Sequence, residues 1–418
     1  MKDLNGKNFI IGFQQMFVMF GATVLVPLLT GLDVGVTLFC AGIGTLLFHI
    51  ITKFKVPVFL GSSFAFIPGI IAVSTAKGGS LPEALGGIAI AGLVYLVVAI
   101  IFRFIDVRTL HKILPPHVTG PMIILIGLIL APVAINNANG TNAAAIVEQI
   151  GTNGCWGIAV FTFAVAVFVR IFFSSIRKKF LSMLPVLIAL FAGYLLSILL
   201  GIVDFTTMNE ASWIGLPKFS LPVFSTRAIS IIVPISIVTI VEHFGDILAI
   251  GNVVGKDFFK APGIHRTLMG DGLATSLSAM IGGPANTTYS ENTGAVALTG
   301  NYNPVTMRIA AVCAIFISFV PKFTSIISTI PGPVIGGISI LLFGMISSIG
   351  IKNMVDNKVD LTNPKILMTS AAMLVLGLGG AKFTLVIIEL EGLGLAAIVG
   401  VLLNVILNFK DIRAKDKG

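Results

Sequence analysis

Charge is scarce in this chain. Of its 418 residues only 11% are Asp, Glu, Lys or Arg, against roughly 25% in an average soluble domain. That shortage excludes a soluble enzyme, because a water-facing surface of this size needs more charge to cover it. Cysteine is rarer still. Cys40, Cys155 and Cys313 lie far apart, with no CxxC pair and no metal-ligand spacing, so they read as small apolar fillers. The chain has no HExxH, no Ser/His/Asp order and no P-loop, which leaves a membrane protease, an ATP-driven pump or another intramembrane enzyme without a catalytic constellation. Period-two alternation of apolar and polar residues is also missing, which excludes an outer-membrane barrel.

What the chain has is long apolar runs. Hydrophobic residues make up 56% of it. Stretches near 9–29, 34–52, 57–76, 84–102, 117–136, 154–174 and 181–202 are followed by a second set near 228–252, 267–282, 285–300, 305–321, 329–350, 365–381 and 393–409. Most have the length of a helix that crosses a bilayer. The expectation is an all-α polytopic membrane protein of fourteen spans. The first stretch is too long for a cleaved signal peptide and leads into no polar mature domain. A net charge of +9 does not point to nucleic acid, since the basic residues form no run with interleaved aromatics. With the N-terminus placed in the cytoplasm, 22 Lys and Arg fall on the cytoplasmic side and 5 on the other, accounting for all 27. This asymmetry puts both termini in the cytoplasm and the protein in the cytoplasmic membrane.

Two halves are discernible. Pro115-Pro116-His117-Val118-Thr119-Gly120-Pro121 opens the fifth span and Pro331-Gly332-Pro333-Val334-Ile335-Gly336-Gly337 opens the twelfth, an offset of 336 − 120 = 216. Seven spans per half is odd, so the second half enters the membrane upside down, an inverted repeat common among secondary transporters. The expected organisation is a tail at 1–8, a first repeat at 9–202, an outer connection at 203–227, a second repeat at 228–409 and a tail at 410–418. The third and tenth spans are polar near their middles, at Gly61-Ser62-Ser63-Phe64 and at Asn286-Thr287-Thr288-Tyr289-Ser290-Glu291-Asn292-Thr293-Gly294. Both are expected to be discontinuous. Val56–Leu60 and Pro284–Tyr289 read as extended pieces that pair, each followed by a half-helix. Ser62 or Ser63 and Ser290 are the expected N-caps, and the half-helix N–H groups would point at a ligand.

Among the acidic residues, Glu242, Asp246 and Glu291 fall inside predicted spans. A carboxylate facing lipid costs about 2.5–3.5 kcal/mol or more, so each is expected to face a cavity. Glu242 and Asp246 are four apart and share one helix face. Two such acids in a low dielectric resist joint ionisation, which prepares them to bind a proton. His243 points about 100° away from Glu242 and reads as structural. Carboxylates accept hydrogen bonds and half-helix N–H groups donate them. A flat ring with alternating N–H and C=O, such as uracil or an oxopurine, suits both, with Phe64, Phe66 and Tyr289 available for stacking. A simple inorganic anion would be repelled by Glu242 and Glu291.

At these residues the chain resembles the uracil permeases of the nucleobase–ascorbate transporter (nucleobase:cation symporter) family. The resemblance runs from about residue 9 to 410 and rests on Phe20-Gly21-Ala22-Thr23-Val24-Leu25-Val26-Pro27, Gly61-Ser62-Ser63-Phe64-Ala65-Phe66, Glu242-His243-Phe244-Gly245-Asp246, Pro262-Gly263-Ile264-His265-Arg266, Gly270-Asp271-Gly272 and Asn286 through Asn292. It implies core and gate domains and a homodimer. It further implies that Glu242 and Glu291 bind the base, with backbone amides at Phe64 and Ser290 reaching the ring carbonyls. Glu291 is what uracil carriers tend to have where purine carriers often have Gln. Asp246 stands where the best-known uracil pattern has His, as in purine-carrying relatives, and Ser290 stands where that pattern has Gly. The expected activity is symport of uracil with a proton shared among Glu242, Asp246 and Glu291, with no cofactor or metal and with sodium an alternative coupling ion. A purine symporter on the same scaffold and an anion exchanger are the alternatives.

Overall fold

The computed structural model describes residues 5–104, 112–175, 180–385 and 388–409. The whole of the expected C-terminal tail and the first four residues of the expected N-terminal tail therefore lie outside the described residues. The helices of the first half are α1 (Gly6–Thr30), α2 (Val34–Ile51), α3 (Ile67–Ser74), α4 (Leu81–Phe102), α5 (Pro116–Ala138), α6 (Ala144–Ser175) and α7 (Pro185–Leu199). The second half holds α8 (Thr226–Ile232), α9 (Ile235–Val254), α10 (Ile264–Met280), α11 (Ser290–Thr299), α12 (Val305–Ser318), α13 (Pro321–Ser328), α14 (Gly332–Asp356), α15 (Pro364–Leu378) and α16 (Gly392–Leu407).

Local chemistry sets many of these ends. Asn5 caps α1 through Asn8 N–H, and Gly31, at φ 80°, ends it in the left-handed region that glycine tolerates. Asp33 then caps α2 through Val36 N–H at 2.8 Å. Each of the fourteen apolar stretches carries a helical segment. Among the described residues, seven helices are long and apolar enough to cross a membrane, or eight if the α12–α13 pair, bent by 87°, is one span. The others fall short because they are half-helices, short apolar helices of 10–17 residues, or, like α10, too polar.

The helices pack into two sets. In one, α10 lies against α4 and α2, and α12 against α2 and α1. In the other, α5 packs along α14, α6 joins α7 and α14, and α15 joins α16 and α5. The chain is not purely helical. Strands β1 (Leu60–Ser62) and β2 (Asn286–Thr288) pair antiparallel, with Leu60 opposite Thr288, Gly61 opposite Thr287 and Ser62 opposite Asn286. Strands β3 (Lys382–Leu385) and β4 (Ile388–Glu391) form a hairpin between α15 and α16, where the apolar pattern by itself predicts only a connection between spans. Its pairing is local, and it is tied to α8 by Glu389 N–H to Ser230 Oγ at 3.1 Å and by Arg227 to Glu389 at 3.5 Å.

Candidate functional site

The site is built on the crossing of β1 and β2. Extended backbone deep in an apolar protein survives only if every N–H and C=O finds a partner. Here the pairing is extended by Ser63 N–H to Ala285 O at 2.9 Å and Tyr289 N–H to Phe59 O at 3.1 Å. The outer edges are closed by two threonines. Thr45 Oγ1 of α2 accepts from Leu60 N–H at 2.8 Å and donates to Leu60 O at 3.3 Å. Thr275 Oγ1 of α10 does the same for Asn286, at 3.2 and 3.0 Å. The Tyr289 ring lies over Gly61, where a Cβ would collide with it. The Tyr289 hydroxyl donates to Ser62 O at 2.9 Å. The strands thus sit a few residues later on the first side than Val56–Leu60, because register depends on the partner strand and not on local composition.

Past the crossing the chain turns helical on both sides. A 3₁₀ turn at Phe64–Phe66 leads into α3, and Ser290 begins α11. The expected N-caps are not formed. Ser62 Oγ donates to Thr23 O at 2.7 Å, Ser63 Oγ is buried without a partner among the described residues, and Ser290 Oγ donates to Asp246 Oδ1 at 2.7 Å. Tyr289, not Ser290, stands at the cap position of α11, and the Ser290 side chain is directed at Asp246 by a charge-assisted hydrogen bond. The half-helix starts therefore have no side-chain cap.

Helix α9 runs alongside both half-helix starts. Asp246, buried, also accepts from Thr288 Oγ1 at 2.7 Å, so both its oxygens are held by hydroxyls of the β2–α11 segment. Glu242 is half-buried and, among the described residues, accepts no hydrogen bond from another side chain. Ser290 and Glu291 are accessible. Cβ atoms built on Gly245 and Gly294 would meet nothing within 4 Å, which marks open space beside both helices. The structure thus brings Glu242, Asp246, Ser290 and the start of α11 to one place. Phe64 is half-buried, its ring edge-on to Phe343 of α14 at 6.2 Å, where the two helix sets meet. Tyr289 and Phe66 are buried, and Tyr289 is occupied in the crossing.

One carboxylate escaped the sequence reasoning. Asp271 lies within α10 and is fully buried, a further acid beside Glu242, Asp246 and Glu291. Its signal was present, since Gly270-Asp271-Gly272 falls inside the ninth apolar stretch. Thr288, Thr45 and Thr275 carried no signal of their own. His243 turns away from Glu242 towards α10, where it meets Asp271 and Thr267.

The sequence pattern of the Permease family matches residues 6–386. The chain belongs to this family. It is a transporter rather than an enzyme, and a multi-pass membrane protein. A probable uracil permease of Pasteurella multocida is 41% identical over 413 residues, covering 97% of this chain and 95% of that one. The uracil permease of Bacillus caldolyticus is 42% identical over 410 residues, covering 96% and 92%. Among solved structures, SLC26A9 aligns with a TM-score of 0.69 at 12% identity, covering 96% of this chain and 65% of that chain. The transmembrane domain of the cyanobacterial bicarbonate transporter BicA aligns at 0.60 and 16% identity, covering 97% of each. These likenesses give the permease a helical membrane-transporter fold.

Proposed function

We propose that this permease imports uracil together with a proton across the cytoplasmic membrane, by alternating movement of the two helix sets. The observation that carries the reading is the meeting of an uncapped half-helix start at Ser290 with the carboxylates Glu242, Asp246 and Glu291. Uracil presents N–H groups to acceptors and C=O groups to donors along one edge. Glu242 and Glu291 would accept from its ring, and backbone amides at Phe64 and Ser290 would donate to its carbonyls. The names of the relatives support uracil as the substrate. Phe64 stacks on the ring in this reading, while Tyr289 positions the crossing. The coupled proton is shared by Glu242, Asp246 and Glu291, with no cofactor, and sodium is the alternative ion for the same acids.

A fourteen-span inverted repeat is supported by the packing. Counting α3 as the third span, α8–α9 as the eighth, α11 as the tenth and α12–α13 as the eleventh, the contacts recur under an offset of seven. The pair α2–α12 matches α10–α4, α6–α7 matches α15–α16, α6–α14 matches α5–α15, and α5–α14 and β1–β2 match themselves. The first helix set is then the core domain and the second the gate. The distribution of 22 basic residues against 5 supports cytoplasmic termini. A homodimer in the lipid bilayer follows from the family resemblance.

A purine symporter is the second reading, favoured by Asp246. Uptake of labelled uracil into cells lacking their own permease decides between them, measured with and without a protonophore and with excess unlabelled xanthine. Uptake that collapses with the protonophore and ignores xanthine is the expected result. Suppression by xanthine, or no uracil uptake, would transfer the assignment to purines. Uptake untouched by the protonophore would remove proton coupling.

A further inference from the structure

On the flank of α9 turned towards α10 lies a polar cluster that the substrate site does not use. His243 and Asp271 are both fully buried. His243 Nδ1 is 3.1 Å from Asp271 Oδ2, and Nε2 is 3.0 Å from Thr267 Oγ1. The Thr267 hydroxyl donates to Ile264 O at 3.0 Å. A hydroxyl has one hydrogen, so Thr267 offers His243 only a lone pair, and the proton on that side belongs to Nε2.

Nδ1 then faces the carboxyl group. Were neither atom protonated, two lone pairs would oppose each other at 3.1 Å, and an ionised acid would lie in a dry interior with no hydrogen-bond donor to either oxygen. One proton between Nδ1 and Oδ2 ends the opposition of lone pairs and neutralises the pair, leaving Oδ1 alone without a donor among the described residues. Imidazolium with carboxylate and imidazole with carboxylic acid have the same atoms and the same net charge of zero. The titratable groups within electrostatic reach are Tyr95 of α4, whose hydroxyl donates to Thr239 Oγ1, and Glu242 and Asp246 of α9. No cation among the described residues replaces the shared proton.

We propose that Asp271 and His243 form a proton-holding pair whose proton stays with the protein through the transport cycle, and that this pair is a positioning element fixing α9 on α10 so that Glu242 faces the substrate. The contrast in exposure supports the division of labour. Glu242 is half-buried and Glu291 accessible, whereas neither member of the pair touches solvent. Loss of its proton would leave an uncompensated negative charge in the interior.

The test uses ¹⁵N-histidine-labelled full-length protein in lipid bilayers, with the His243 signal identified by its loss in His243→Gln. The expected result is a strongly downfield proton resonance between His243 Nδ1 and Asp271 that is lost in Asp271→Asn. A native protein without such a proton, or one whose resonance persists in Asp271→Asn, overturns the proposal. A second arm, which rests on Glu242 binding the base, measures uptake. The carboxamide introduced by Asp271→Asn can donate to Nδ1, so this variant should keep protonophore-sensitive uptake with KM unchanged. Asp271→Ala leaves Nδ1 unpartnered, and its KM should rise about tenfold. An Asp271→Asn protein that still binds uracil but has lost protonophore sensitivity would mean the pair carries the transported proton, and the proposal fails. The spectroscopic arm needs no uracil, so failure of the substrate reading and failure of this one are distinguishable.

Discussion

Asp246 spends both its oxygens on hydroxyls, Oδ1 on Ser290 and Oδ2 on Thr288. It therefore joins α9 to the start of α11, and it is less free to meet a ligand than Glu242. Thr288→Val keeps the shape but removes one charge-assisted hydrogen bond, a loss of about 1.5–3 kcal/mol. Binding of labelled uracil to the purified protein should weaken by roughly tenfold or more. Glu242→Gln removes an acceptor that has no competing side-chain partner among the described residues, and uptake should be abolished; normal accumulation by this variant would sink the carboxylate mechanism. Glu291→Gln exchanges an acceptor for a mixed donor and acceptor. Competition assays should register a shift in base preference towards xanthine.

The strand crossing is the element on which the site depends. Its edges rely on single hydroxyls, since Thr45 and Thr275 each satisfy both backbone groups of one strand residue. Thr45→Val or Thr275→Val would strand a buried N–H and C=O at a cost of about 1–3 kcal/mol each. Thermal unfolding in detergent should begin at a lower temperature for both variants, and by similar amounts, because the two threonines occupy matching places. An unchanged melting profile would mean that water or a shifted strand replaces the hydroxyl. The Gly61 position admits no side chain without moving the Tyr289 ring, so the two strands approach as closely as they do only with glycine there.

For the whole molecule, the proposed movement of one helix set against the other would make and break contacts between them. The β3–β4 hairpin belongs to the set of α15 and α16, yet Glu389 is bonded to Ser230 and lies near Arg227, both on α8, which packs on α4 of the other set. The ion pair is half-exposed and contributes roughly 0–1 kcal/mol, weak enough to open in the proposed cycle. A disulfide between Ser230→Cys and Glu389→Cys should stop uptake while leaving uracil binding intact, and reducing agent should restore uptake. Full transport by the cross-linked protein would exclude relative motion at this contact.

Much of this was legible in the chain itself. Span length is a property of a single segment against a bilayer, so the helical segments could be found without knowing their neighbours. The breaks near Ser62 and Thr288 could be read because a polar run inside an apolar one is costly in lipid unless it pairs internally or lines a cavity. The acids Glu242, Asp246 and Glu291 stood out for the cost of placing them in lipid. Tertiary structure decided what depends on a partner distant in sequence. It fixed the register of Leu60 on Thr288, put Tyr289 at the cap position of α11 and aimed the Ser290 hydroxyl at Asp246. It closed the strand edges with Thr45 and Thr275, and it brought His243 of α9 against Asp271 of α10. A hydrogen bond has a length and a direction, and in these cases only the folded chain supplies both ends.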